Sequence, residues 1–201
     1  VRAGSSLIAV AALLAALVAQ NGQRATDVRG LPGTAWLSGE IRGRAVLATA
    51  GGDAASVAVN VADAGARLDV VDLGRTVLVG NEAANTISQL SAADGTELRT
   101  FDAVSDDGST LALVRAGEVA YLVDAGAGNV RRIDSEGPAT APRDLGTFDQ
   151  WVGTANGELW VLNTRVGEVT AFDGDTTSTQ SVGRLETGAT LTAVGDEPII
   201  A

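Results

Sequence analysis

The chain has no cysteine, histidine, lysine or methionine, and each absence removes a class of chemistry. Without cysteine there are no disulfides, no thiol nucleophile and no thiolate metal ligand. Without histidine, neither Ser/His/Asp nor Cys/His catalytic arrangements can be assembled, and imidazole-based zinc and iron sites are excluded too. Prolines number only 4, and aromatic residues make up 3% of the chain. Glycine, by contrast, occurs 25 times, and 45% of residues are hydrophobic. That balance favours short strands joined by tight turns over disorder or long helices. All 14 basic residues are arginine, which together with abundant Ala, Val, Gly and Asp points to a GC-rich genome. Against 25 acidic residues they leave a net charge of −11. Nucleic-acid affinity rests on neutralising phosphates, so such a partner is disfavoured, as is an anionic lipid surface. The acidic surface serves solubility.

The longest apolar run is LIAVAALLAALVA, Leu7–Ala19, preceded by Arg2. The uncharged stretch from Ala3 to Gly22 approaches the ~20 residues a helix needs to span a bilayer. It has no polar face, which a helix packed on a soluble core would show. No A-x-A cleavage signature ends the run, so residues 1–24 are read as a retained membrane anchor, with a secreted protein following if they are cleaved. Residues 25–33 then form a linker.

Beyond it the chain repeats. AWLSGEIRGRAVLAT (Ala35–Thr49), VLVGNEAANTISQLS (Val77–Ser91), AYLVDAGAGNVRRID (Ala120–Asp134) and LWVLNTRVGEVTAFD (Leu159–Asp173) align without a gap. A fifth copy begins at Glu197–Ala201. The second place is held by Trp36, Leu78, Tyr121, Trp160 and Ile199, at spacings of 42, 43, 39 and 39. Gly43, Asn85, Gly128 and Gly167 share the place where a hairpin needs a positive φ. Turn dipeptides Asp94-Gly95, Asp107-Gly108, Asn156-Gly157 and Asp173-Gly174 separate further strand-like runs, such as Gln150–Gly153 and Thr190–Val194. About four strands in some 40 residues is the size of a β-propeller blade. A β-helix needs shorter coils, and a sandwich would not repeat at constant spacing. The expected fold is therefore all-β: a propeller of four-stranded blades over residues 34–201, with four blades and the start of a fifth. The ring is unclosed and is expected to continue in a longer protein.

Units such as LWVLNTRVGEVTAFDGD resemble the YVTN/NHL-type propeller repeats of bacterial surface proteins. The layout of one anchor, a short first repeat (TAWLSGEIRGRAV) and further blades resembles actinobacterial membrane-anchored propeller proteins. That resemblance implies fibronectin type III domains C-terminal to the propeller. The missing histidine excludes chemistry of the streptogramin-lyase kind and that of other histidine-dependent propeller enzymes.

The remaining chemical candidates sit in turns. Asp106-Asp107, Glu136 and the Asp173/Asp175 pair occur in SDDGST, DSEG and FDGDTT, where Asp beside Gly is ordinary hairpin chemistry. Asp173-Gly174-Asp175-Thr176 is oxygen-rich enough to suggest calcium but lacks spaced ligands and a closing Glu. Gly51-Gly52 and Gly126-x-Gly128 are turns and not phosphate loops, and no quinone-docking tryptophan motif is present. No catalytic, cofactor or metal residue is therefore assigned. Trp36, Tyr121 and Trp160 could line a carbohydrate-binding face, but a large residue at a fixed repeat position is expected to pack blade on blade. Gly39, Asn81, Asp124 and Asn163, three residues on, are expected to cap the turns. The leading expectation is a non-catalytic extracytoplasmic binding or sensing module whose partner is a protein or a cell-envelope glycan. The alternatives are a carboxylate-based or quinone enzyme with its active residues in absent sequence, and a spacer for fibronectin domains.

Overall fold

The structure is a computed structural model that describes residues 34–49, 57–103, 111–186 and 188–201. The anchor and linker expected over residues 1–33 lie outside these. Among the described residues no helix is long and apolar enough to cross a membrane. The fold is all-β, in two compact units divided after Asp102.

In the first unit, β1 (Thr34–Gly39), β2 (Arg44–Thr49) and β3 (Val57–Asn60) form one antiparallel meander. A second contains β4 (Leu68–Asp72), β5 (Thr76–Asn81), β6 (Thr86–Ser91) and β7 (Glu97–Asp102). The second unit has three more meanders. One is β8 (Leu111–Ala116), β9 (Val119–Asp124) and β10 (Asn129–Asp134), edged by β11 (Gly137–Pro138) and β12 (Arg143–Asp144). The next is β13 (Gln150–Gly153), β14 (Leu159–Asn163), β15 (Glu168–Phe172) and β16 (Thr177–Ser181). The last pairs β17 (Leu191–Val194) with β18 (Glu197–Ile200).

Four strands per sheet is thus met in the second and fourth sheets but not in all. The outer edge of the third is broken because Pro138 and Pro142 bracket it, and proline supplies no N–H to a ladder.

The repeat alignment has a conformational basis. Gly43, Asn85, Gly128 and Gly167 have φ of 60°, 53°, 76° and 69°, the left-handed region, in the turns β1–β2, β5–β6, β9–β10 and β14–β15. At three of these places the turn also touches backbone. Gly43 O accepts from Val61 N and Ala62 N, Gly128 O from Leu145 N, and Gly167 O from Val182 N, at 2.8–3.1 Å. A side chain there would collide: a Cβ on Gly167 would lie 1.8 Å from Gly183 O, and one on Gly128 2.3 Å from Gly146 O. Only glycine permits this approach.

The core of each unit lies between successive sheets. In the first unit, Trp36 packs with Leu68, Val70, Val77, Val79 and Leu90, and its Nε1 donates to Ala92 O across to the next sheet. In the second, Tyr121 packs with Val130, Phe148, Leu159, Val161 and Phe172. Its hydroxyl donates to Gly157 O at 2.8 Å, again in the next sheet. Trp36 and Tyr121, at the repeated place, are therefore bridges between sheets, and burying each side chain contributes roughly 1.5–3 kcal/mol. The first strands of the three second-unit sheets are neighbours, β13 lying beside both β8 and β17. Gln150 joins the last two by donating to Ala189 O and accepting from Leu191 N.

Candidate functional site

Most of the polar residues picked out in the sequence are turn caps. Asn81 Oδ1 accepts from Ala84 N, Asp124 Oδ1 from Ala127 N, and Asn163 Oδ1 from Arg165 N and Val166 N. Gly39, at the same place, has no side chain to do so, and a 3₁₀ turn (Glu40–Arg42) follows it instead. Glu136 is exposed, in a turn where its N–H donates to Asp134 Oδ1. Asp106-Asp107 and Gly51-Gly52 lie outside the described residues.

Asp173 is the acidic residue that invited a cation, and its carboxylate is already engaged. Oδ1 accepts from Asp175 N and Thr176 N at 2.9 and 2.8 Å, and Oδ2 accepts from Thr176 Oγ1 at 2.8 Å. These bonds stabilise the anion and hold its pKa down, from 3.8 to about 2. Among the described residues no cluster of three or more carboxylates could hold a metal ion. The loop is a capped turn. Because the folded pKa lies below the unfolded one, the carboxylate's stabilisation is complete above the unfolded value and is lost as pH falls towards 2. Asp173→Asn should therefore unfold at lower urea than the parent at pH 6, with the gap closing between pH 4 and pH 2. Urea midpoints across that range check it.

The repeated large residues divide in a useful way. Trp36, Leu78 and Tyr121 are at most 3% exposed, whereas Trp160 is only half-buried and Ile199 is 40% exposed. The expectation of core packing thus holds for the first three. Trp160 instead belongs to a polar group at the turn between β13 and β14. Its Nε1 donates to Glu158 Oε2 at 3.2 Å, and Asn156 Nδ2 donates to the same oxygen at 3.2 Å. Thr154, itself buried, holds Asn156 by donating to its Oδ1 at 2.5 Å. Glu158 Oε1 takes no hydrogen bond from the described residues.

On the other face of the fourth sheet, Arg132 on β10 reaches over Gly174 and donates to Asp173 O at 2.7 Å, tying the third sheet to the fourth. Burial pushes the Tyr121 hydroxyl up to about 12. The Arg132 charge opposes that shift, while Asp173, Glu158 and Asp175 add to it. An indole, an anchored carboxylate and an amide thus form one polar group at the start of β14, on the face opposite Leu159 and Val161, which pack with Tyr121 of the third sheet. Sequence reading missed Glu158 and Arg132 and took Asn156 only as a turn residue. No periodic signal marks this group, because Asn156 sits in the hairpin turn and Glu158 just before β14.

No family model and no curated protein matches the chain. Solved structures do. Virginiamycin B lyase from Staphylococcus aureus superposes with a TM-score of 0.63 at 12% identity, over 87% of this chain and 61% of that one. A catalytically inactive variant of that lyase with quinupristin gives 0.59 at 11% identity, over 83% and 59%. BamB from Moraxella catarrhalis gives 0.58 at 17% identity, over 82% and 54%. The chain therefore spans between about half and three fifths of the length of these proteins.

The likeness overturns the expectation of a non-catalytic module. A lyase is among the solved structures that share this fold, so the fold offers no ground for excluding a reaction. Missing histidine and cysteine remove imidazole and thiol chemistry but leave carboxylates, hydroxyls and arginine. At these identities the shared property is the fold, and the chain has the fold of a β-propeller repeat array.

Proposed function

We propose that this chain recognises a hydroxyl-rich ligand of the cell-envelope glycan class at the Trp160–Glu158–Asn156 group. The observation that carries this reading is Trp160. It is the one aromatic among the repeated large residues that keeps an accessible face, and its indole is fixed beside a carboxylate with an open oxygen. An aromatic face is an apolar platform for a sugar ring, and an adjacent carboxylate and amide accept and donate to its hydroxyls. Asn156 and Thr154 hold the carboxylate in place before any ligand arrives. The N-terminal apolar segment supports a location at the outer side of a membrane, where such glycans occur. In the actinobacterial family that the repeats resemble, fibronectin type III domains would follow the propeller.

The test is a titration of the full chain with soluble peptidoglycan fragments, followed by tryptophan fluorescence and by chromatography of the fragments. Saturable quenching is expected in the parent, weakened about tenfold or more in Trp160→Ala, as loss of roughly 1.4 kcal/mol implies. Glu158→Gln should weaken it too. Unchanged fluorescence in the parent, or equal affinity in Trp160→Ala, would refute the reading. The chromatography reports directly whether bound fragments are also converted.

A further inference from the structure

The outer edges of the five sheets are treated differently. β3 is four residues long, and the turn at Gly95 packs on its Val57 and Val59. β7 carries Glu97, Arg99 and Asp102, and its pairing shifts register at Gln89/Leu90. The third sheet's edge is split in two and holds Pro138. β18 includes Glu197 and Pro198. Charges, prolines, bulges and short strands are the devices by which proteins prevent edge-to-edge pairing.

β16 has none of them. Thr177–Ser181 reads TSTQS, every residue is exposed, and it pairs with β15 in unbroken register from Phe172↔Thr177 to Glu168↔Ser181. Among the described residues no strand pairs with its outer side. Val182 N donates to Gly167 O and Asp173 N to Thr176 O, so alternation directs the N–H and C=O of 177, 179 and 181 outwards.

We infer that β16 is a dimerisation edge, which pairs antiparallel with β16 of a second copy of this chain about a twofold axis at Thr179. In that register Thr179 faces Thr179 of its mate and Thr177 faces Ser181, so all outward groups of the three residues are bonded. No like charges meet along the strand. Antiparallel pairing also brings the Arg184 end of each copy to the Asp173/Asp175 end of the other, a complementary arrangement in a chain whose net charge of −11 otherwise opposes self-association. This charge match is what selects a second copy over another occupant.

The chain has no cysteine, so a single introduced thiol reports the contact without background. Residues facing each other in a hydrogen-bonded antiparallel pair have Cα atoms about 5.5 Å apart, within disulfide range. Under mild oxidation the full chain with Thr179→Cys should form a covalent dimer at least tenfold faster than with Leu98→Cys, an exposed position on the β7 edge. Adding Ser181→Pro to Thr179→Cys removes an outward N–H without touching the ladder to β15, and it should slow dimer formation at least tenfold. Equal rates at 179 and 98, no dimer at either, or no effect of the proline in a protein with unchanged circular dichroism would each overturn the inference.

Discussion

Gly167→Ala is expected to destabilise the protein severely, and more than alanine at any glycine facing open space. Two costs combine. A left-handed conformation costs an L-residue about 1–2 kcal/mol. A Cβ 1.8 Å from Gly183 O must also move backbone, a further ~1–3 kcal/mol by the standard of overpacked cores. Gly146 separates the two costs: its φ is +75° with nothing near a would-be Cβ, so Gly146→Ala incurs only the first. Asn85, the non-glycine at the repeat position, has φ 53°, and Asn85→Gly should be almost neutral. Urea unfolding should therefore order the variants Asn85→Gly, Gly146→Ala, Gly167→Ala by increasing loss. A Gly167→Ala midpoint equal to that of Gly146→Ala would mean that the turn does not approach the Gly183 backbone.

Tyr121→Ala is expected to cost roughly 3–5 kcal/mol, the range for removing a large buried aromatic. The ring lies between two sheets, 5.7 Å from Phe172 centre to centre, so its removal empties the junction and not merely one strand. Tyr121→Phe keeps the packing but strands the Gly157 carbonyl, at about 1–3 kcal/mol. A typical domain has only 5–15 kcal/mol in total, so the alanine variant should be partly unfolded near 37 °C. Differential scanning calorimetry of the two variants separates the packing from the hydrogen bond. Trp160→Ala, at the equivalent repeat position but half-buried, should cost clearly less than Tyr121→Ala.

How far this could be read from the residues depends on which physics repeats. The left-handed residues recur because the turn after each repeat's first strand meets the same conformational demand, so Gly43, Asn85, Gly128 and Gly167 align by eye. Turn caps such as Asn81 and Asn163 were legible for the same reason. The Trp160 group was not, because it exists in one sheet only. No periodicity announces a site that departs from the repeat. The function was legible least of all. An argument from missing histidine and cysteine removes mechanisms, and a fold shared with both a lyase and BamB does not choose between them.

The central structural claim is that Tyr121, at the repeated place, bridges the third and fourth sheets, and as the single tyrosine it can be tested alone. Tyrosinate absorbance at 295 nm should stay flat in the native protein through pH 10–11 and rise near 12, whereas the urea-unfolded chain titrates near 10. Since the folded pKa is the higher, stability drawn from Tyr121 is complete below pH 10 and is lost as pH rises through 12. Native tyrosinate forming at pH 10, with circular dichroism still that of the folded protein, would contradict a buried Tyr121 and the sheet-to-sheet packing built on it.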